Sequence, residues 1–237
     1  MRLAEDLLDS VAHLDCAVTR VCVGLHWIVV ESRHAGVAHT CKTDRKVELT
    51  DAGDLIGRSA LELATRLRSW EPLEASLGLA ALNSLIGAAG SPADALEQVV
   101  DLARGRTVTV VGRFPFNPRV REVAAQAYFL EINPDGTELP AWACEEVIPV
   151  SDVVVITATA LINKTLSRLL ELGRGATTIV LGPSTPMNDV LLRHGASVLA
   201  GVRVTDPDAL FRAVMQGVKR FAGLEGVEAI CRELPPN

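Results

Sequence analysis

The sequence predicts an α/β fold, with a doubly wound parallel sheet over residues 92–237 preceded by a smaller α+β domain over residues 1–91. Three observations carry this. Five short apolar runs, 107–111, 128–132, 153–157, 177–181 and 198–204, alternate with helical stripes. Residues 151–188 read as strand, helix, strand, loop, a βαβ unit whose two strands are parallel. The first ninety residues instead carry a hairpin pattern followed by helices.

In chain order, Leu3, Leu7, Leu8, Val11 and Leu14 share one face of a helix over 3–14. Residues 18–31 read as strand, Arg33, His34 and Gly36 as a turn, and 37–43 as the return strand. Ser59 with Glu62 three residues later has capping-box spacing. Pro72 opens an apolar helix that runs to Ile86, and Gly87 to Gly90 end it. Pro92 fits a helix first turn. Thr107 to Val111 is a buried strand stopped by Gly112, and Asn117-Pro118 can cap and open a helix. Tyr128 to Ile132 is a strand carrying Glu131, and residues 140–147 form a short crossover. Val153 to Thr157 is β-branched and apolar, as a strand buried on both faces is. Asn163-Lys164-Thr165 opens a helix with Leu166, Leu169, Leu170 and Leu172, ended by Gly173. Residues 209–217 form the last clear helix, and Pro235-Pro236-Asn237 a frayed end.

Composition narrows the function classes. Hydrophobic residues make up 49% of the 237 and mean hydropathy is +0.26, which predicts two cores or an apolar subunit interface, and a homodimer as the commonest assembly. No apolar run approaches the roughly 20 residues that span a membrane, so no membrane partner is expected. Met1-Arg2-Leu3-Ala4-Glu5-Asp6 carries acids where a signal peptide is basic. Five cysteines without regular spacing point to a reducing, cytoplasmic compartment. A net charge of -6, a pI near 5.4 and 4% aromatic residues argue against a nucleic-acid partner.

Ligands of such sheets sit beyond the carboxyl ends of the strands. Here those ends are small and polar: Thr157-Ala158-Thr159, then Gly182-Pro183-Ser184-Thr185-Pro186. Ser184 and Thr185 either offer hydroxyls and amides to an anion or cap the next helix. Asn163 and Thr165 pose the same choice. Glu131 follows Gly112 by about 20 residues, the separation of a ribose-binding acid in dinucleotide folds. Yet Gly112-Arg113-Phe114-Pro115 is not a glycine-rich phosphate loop, and Pro115 lacks an amide proton. Asn83 is a lone amide in an apolar helix, free to bond backbone of the second domain or a ligand at the boundary. His13, Cys16, Cys22, His39 and Cys41 lie in the first domain without a metal-site spacing, and Cys144 and Cys231 are isolated. No G-x-S-x-G elbow appears.

Seven segments, taken in order, resemble the family named "putative heavy-metal chelation": Leu79 to Ser84, Val110 to Pro115, Leu130-Glu131, Leu139-Pro140, Ser151 to Thr157, Ala160 to Leu166 and Gly182 to Pro186. The resemblance implies an enolase N-terminal-like domain joined to a Rossmann-like domain, with a site at their junction. By motif match, Asn83, Gly112, Phe114, Glu131, Thr157, Asn163, Thr165, Gly182, Ser184 and Thr185 would face that cleft. Ala158 departs from the Thr-Gly dipeptide expected there and would narrow approach to the backbone. The implied function is binding of a small ligand in an interdomain cleft, either a heavy metal or a metal-complexed or anionic small molecule. The alternative is an enzyme of transferase or lyase type with a nucleotide-like cofactor in the Rossmann-like lobe. A third reading is a scaffold whose polar strand ends are only caps. Glu131 discriminates: a cofactor site needs its carboxylate free, and a scaffold needs it bonded to protein groups.

Overall fold

Leu3, Leu7, Leu8 and Val11 bury one face of α1 (Arg2–Val11), as their spacing requires. The computed structural model describes residues 2–41 and 48–233. The expected end of the return strand at 42–43 and the frayed end at 235–237 lie outside the described residues. The segment read as one strand over 18–31 is two, β1 (Arg20–Val23) and β2 (Trp27–Glu31), followed by β3 (Ala35–His39). They form an antiparallel sheet in the order β1-β2-β3, not a two-stranded hairpin. The chain turns at Gly24, where a Cβ would lie 2.6 Å from Val214 Cγ1 and 2.9 Å from the Trp27 carbonyl oxygen.

Ser59 caps α2 (Ala60–Ala64) as its spacing predicts, its Oγ accepting the Glu62 amide at 3.0 Å. The reciprocal half of the box is absent, because the Glu62 carboxylate pairs with Arg58. Next comes α3 (Pro72–Leu85), buried on nearly every side and opened by its proline.

Pro92 does not start a helix. Ser91 and Pro92 form β4, an edge strand where proline's missing amide proton is tolerated, and Asp94 caps α4 (Ala95–Ala103). There follow β5 (Thr107–Val111), α5 (Asn117–Val123), β6 (Gln126–Glu131), β7 (Leu139–Pro140), α6 (Cys144–Val147) and β8 (Val153–Thr157). The chain continues through α7 (Leu166–Leu172), β9 (Thr177–Leu181), α8 (Asp189–Arg193), β10 (Val198–Val204), α9 (Pro207–Met215) and β11 (Val227–Glu233).

These strands order as β4-β11-β10-β9-β8-β5-β6-β7. The six from β7 to β10 are parallel, and numbered along the chain from β5 they read 3-2-1-4-5-6, the doubly wound order of a Rossmann sheet. The order reverses between β5 and β8. The antiparallel edge made by β11 and β4 was not legible, since Val227 to Glu233 alternates with charges and has no long apolar run.

Alternation along β8 divides the core. Val154 and Ile156 face a cluster holding Leu7, Leu77, Leu82, Leu169 and Leu191. Val153 and Val155 face Val99, Val100 and Val120 of α4 and α5. A third cluster joins Trp27, Val29 and Val37 to Leu210, Phe211 and Val214 of α9. Side chains from both halves of the chain thus share the first and third clusters.

Candidate functional site

The ten residues singled out from the sequence fall at three places along the carboxyl ends of the strands. The first is the switch point between β5 and β8. Gly112 leaves β5 at φ +113°, where an L side chain is strained. A Cβ there would lie 3.1 Å from Thr157 Cβ and 3.3 Å from Phe114 Cε2, so the ring of Phe114 lies close over the turn. Phe114 stacks on buried Phe116 with centroids 5.0 Å apart. Thr157 Oγ1 shares a hydrogen bond with Thr159 Oγ1 at 2.9 Å.

Asn117 does not cap α5. It occupies the first helical turn and donates Nδ2 to the Gly112 carbonyl at 3.3 Å, while its Oδ1 is buried with no partner. Glu131 ends β6 alongside. Its carboxylate accepts from the backbone amide of Ile132 at 3.3 Å. The Arg113 guanidinium is held by Glu138 at 2.5 and 2.6 Å. Burial outweighs the neighbouring Arg113 charge and raises the Glu131 carboxyl above its ordinary value. The carboxylate is thus held by backbone alone, without a side-chain cation closing on it among the described residues.

A test follows. The folded chain keeps the Glu131 proton to higher pH than the unfolded chain, so stability falls as pH rises above the ordinary 4.5 through the raised value. Glu131→Gln lacks this dependence. Its melting temperature relative to the natural chain should therefore rise between pH 4 and pH 7; thermal melts showing a flat or falling difference would contradict the burial argument.

The second place is the turn after β9. Ser184 and Thr185 are buried, and neither caps α8; Asn188 does, its Oδ1 accepting the Val190 amide at 2.9 Å. Ser184 Oγ accepts the His39 amide at 2.9 Å, and Thr185 Oγ1 donates to the Ala200 carbonyl at 3.0 Å. Gly182 accepts the Thr185 amide at 3.0 Å and closes the turn. Asn83 bonds backbone, as one of the two readings of a lone amide has it. Its Nδ2 donates to the carbonyls of Val37, at 2.9 Å, and Ser184, at 3.0 Å, while its Oδ1 is buried and unpartnered. A cavity of about 440 Å³ opens beside it, lined by His34, Gly36, Asn83, Pro183, Thr185 and Arg203. That volume is in the range of small-molecule sites. Burial and the charge of Arg33 hold the His34 imidazole below its ordinary value, which favours the neutral ring.

Asn163 and Thr165, the third place, are exposed and bonded to each other, Asn163 Oδ1 accepting from the Thr165 amide at 3.1 Å and hydroxyl at 2.6 Å. Between them Lys164, at φ +69°, donates its ammonium to the Leu67 and Ile162 carbonyls at 2.6 and 2.9 Å. This turn ties the two halves of the chain. At about 4.8 Å per strand the ends of β6 and β10 lie roughly 19 Å apart, whereas Thr157 and Gly182 end the neighbouring strands β8 and β9. Sequence reasoning missed Asn117, His34 and Arg203 as site residues. Only an amide following a strand-end glycine could have pointed to Asn117.

Among the described residues, no three histidine, cysteine or acidic side chains gather to hold a metal ion. His39 Nδ1 and Cys41 Sγ approach to 3.7 Å, with burial raising the Cys41 thiol. No helix of the described residues is long and apolar enough to cross a membrane.

Two family models, both described as "Putative heavy-metal chelation", match residues 4–86 and 94–224. A crystal structure of a protein with unknown function from the DUF364 family of Desulfitobacterium hafniense superposes with a TM-score of 0.87 at 25% identity, covering 98% of each chain. A second DUF364 protein, from Pyrococcus horikoshii, gives 0.78 at 22% identity, again over 98% of each chain, and speaks to the fold alone. Comparison with curated proteins gives no match. The chain belongs to the family described as "Putative heavy-metal chelation".

Proposed function

We propose that this chain binds a small polar molecule in the cavity between β3, α3 and the ends of β9 and β10, and that metal enters only as part of such a ligand. The observation that carries the reading is Asn83. Its amide nitrogen is fixed by two carbonyls and its buried Oδ1 is left without a donor at the cavity wall. A buried acceptor without a partner costs stability unless something bonds to it. The family description points to heavy metal, but the donors here do not fit a bare soft cation. Such sites gather thiolates and imidazoles, and the cavity offers an amide oxygen, one imidazole and a guanidinium already bonded to the Ala88 and Gly90 carbonyls and Glu228.

Two measurements test this. Elemental analysis of protein purified without chelator should find less than about one equivalent of tightly held zinc or copper. One equivalent that survives dialysis and is lost in Cys16→Ser or Cys41→Ser would overturn the reading. Native mass spectrometry should show a small-molecule adduct that is lost in Ala89→Trp, a change at the cavity mouth that leaves the melting temperature unaltered. An adduct that survives Ala89→Trp counts against the reading. So does a natural chain that stays bare after incubation with copper citrate and copper histidine.

A further inference from the structure

We infer that the switch point between β5 and β8 is a second binding place, for a neutral or cationic nucleoside, with the ribose hydroxyls on Glu131, a nitrogen-borne proton of the ligand on Asn117 Oδ1, and no diphosphate. The place is distinct from the Asn83 cavity, so either reading can fail without the other.

Four observations carry it. First, the strand order puts β5 and β6 where a doubly wound sheet receives a nucleotide, with Glu131 at the carboxyl end of the second strand, the position from which an acid meets ribose hydroxyls. Second, two acceptors there stay unsatisfied by side-chain donors. Asn117 donates to the Gly112 carbonyl at 3.3 Å, and Glu131 accepts the amide of its own neighbour Ile132 at 3.3 Å. Among the described residues these bonds leave Asn117 Oδ1 buried with no donor and Glu131 with no side-chain donor. An amide oxygen and a carboxylate held this way ask for hydroxyl and N–H groups, which a nucleoside has at its two ends.

Third, the Gly112 turn cannot cradle a diphosphate. Close backbone approach is what a phosphate loop requires, and here the Phe114 ring comes within 3.3 Å of the position a Gly112 Cβ would take. Pro115 offers no amide. Fourth, the local charge is wrong for an anion. Arg113 is the cation at the turn, Glu138 holds it at 2.5 Å, and Asp135 stands 3.6 Å away, which with Glu131 makes three carboxylates to one guanidinium. A half-buried Phe114, stacked on Phe116, supplies the apolar wall that a base requires.

Titration calorimetry and ligand-observed NMR on the full chain test this, with adenosine, guanosine, cytidine and uridine, then 2′,3′-dideoxyadenosine and ADP. At least one ribonucleoside should bind. For adenosine, the dideoxy analogue should be at least tenfold weaker and ADP no tighter. Glu131→Gln should weaken ribonucleoside binding at least tenfold while its melting temperature at pH 7 stays level or rises, a combination that a purely structural Glu131 would not give. The proposal is overturned if none of the four binds at millimolar concentration, if the dideoxy analogue matches the bound nucleoside, if ADP binds tenfold tighter than adenosine, or if Glu131→Gln binds as the natural chain does.

Discussion

Gly36→Val should abolish folding, and Gly36→Ala should come close. Gly36 lies in β3 where that strand crosses α3, and a Cβ there would be 2.1 Å from the Ser84 amide nitrogen, 2.3 Å from the Ala80 carbonyl oxygen and 2.6 Å from the Asn83 carbonyl carbon. All three are backbone atoms of a buried helix, so no side-chain rotamer can relieve the clash. Strand and helix must part by more than an ångström. That movement breaks the bond from the His34 amide to the Ser84 carbonyl, 2.9 Å, and the bond from Asn83 to Val37. Overpacking alone costs about 1–3 kcal/mol, and each broken buried hydrogen bond adds roughly 1 kcal/mol or more. A loss of about 4 kcal/mol is a large share of the 5–15 kcal/mol that domains possess. Chemical denaturation of Gly36→Ala checks this, with Gly175→Ala, where a Cβ meets nothing within 4 Å, as the control expected to stay within about 1 kcal/mol. A Gly36→Ala midpoint equal to that of the natural chain would mean that β3 and α3 are not packed as described.

Ser184→Ala should destabilise the chain by about 0.5–1.5 kcal/mol, because it removes the part-buried hydrogen bond that joins the His39 amide of β3 to the turn after β9. For a chain of this length, that is a fall in melting temperature of roughly 2–4 °C per kcal/mol. Asn83→Leu should cost as much or more, since it strips donors from both the Val37 and Ser184 carbonyls and fills the space beside the cavity. The two losses should not add. Both residues act on the same turn, and Asn83 bonds the Ser184 carbonyl directly. Thermal melts of the two single variants and the double variant give the coupling. A fully additive double variant, or a Ser184→Ala chain with an unaltered melting temperature, would count against a tie between β3, α3 and the β9 turn. Had the Ser184 and Thr185 hydroxyls faced an open anion site, their removal would have lowered affinity and spared stability.

Local chemistry is legible along the chain. β-branched runs marked the buried strands at 107–111, 153–157 and 177–181, because a strand covered on both faces has no polar alternation. Heptad-like leucines marked α1 and α7, Ser59 and Pro72 marked two helix starts, and the family motifs marked the strand ends where ligands of such sheets bind. Tertiary structure decided everything that depends on what lies across a gap. Pro92 became a strand because β11 passes beside it, and β11 itself is paired into the sheet by β10, not by its own apolar content. Asn188 displaced Ser184 and Thr185 as the α8 cap because those hydroxyls had already met the His39 amide and the Ala200 carbonyl. Sequence order carries no lateral distance, so by motif match alone these residues read as one cleft. Strand order puts Glu131, at the end of β6, three strands from the turn after β9 that carries Thr185, and Asn163 and Thr165 are exposed and bonded to each other. Spacing along a chain reports which face of its own element a residue occupies; which elements stand opposite that face is set by packing, and that packing is what divides these motifs between separate places.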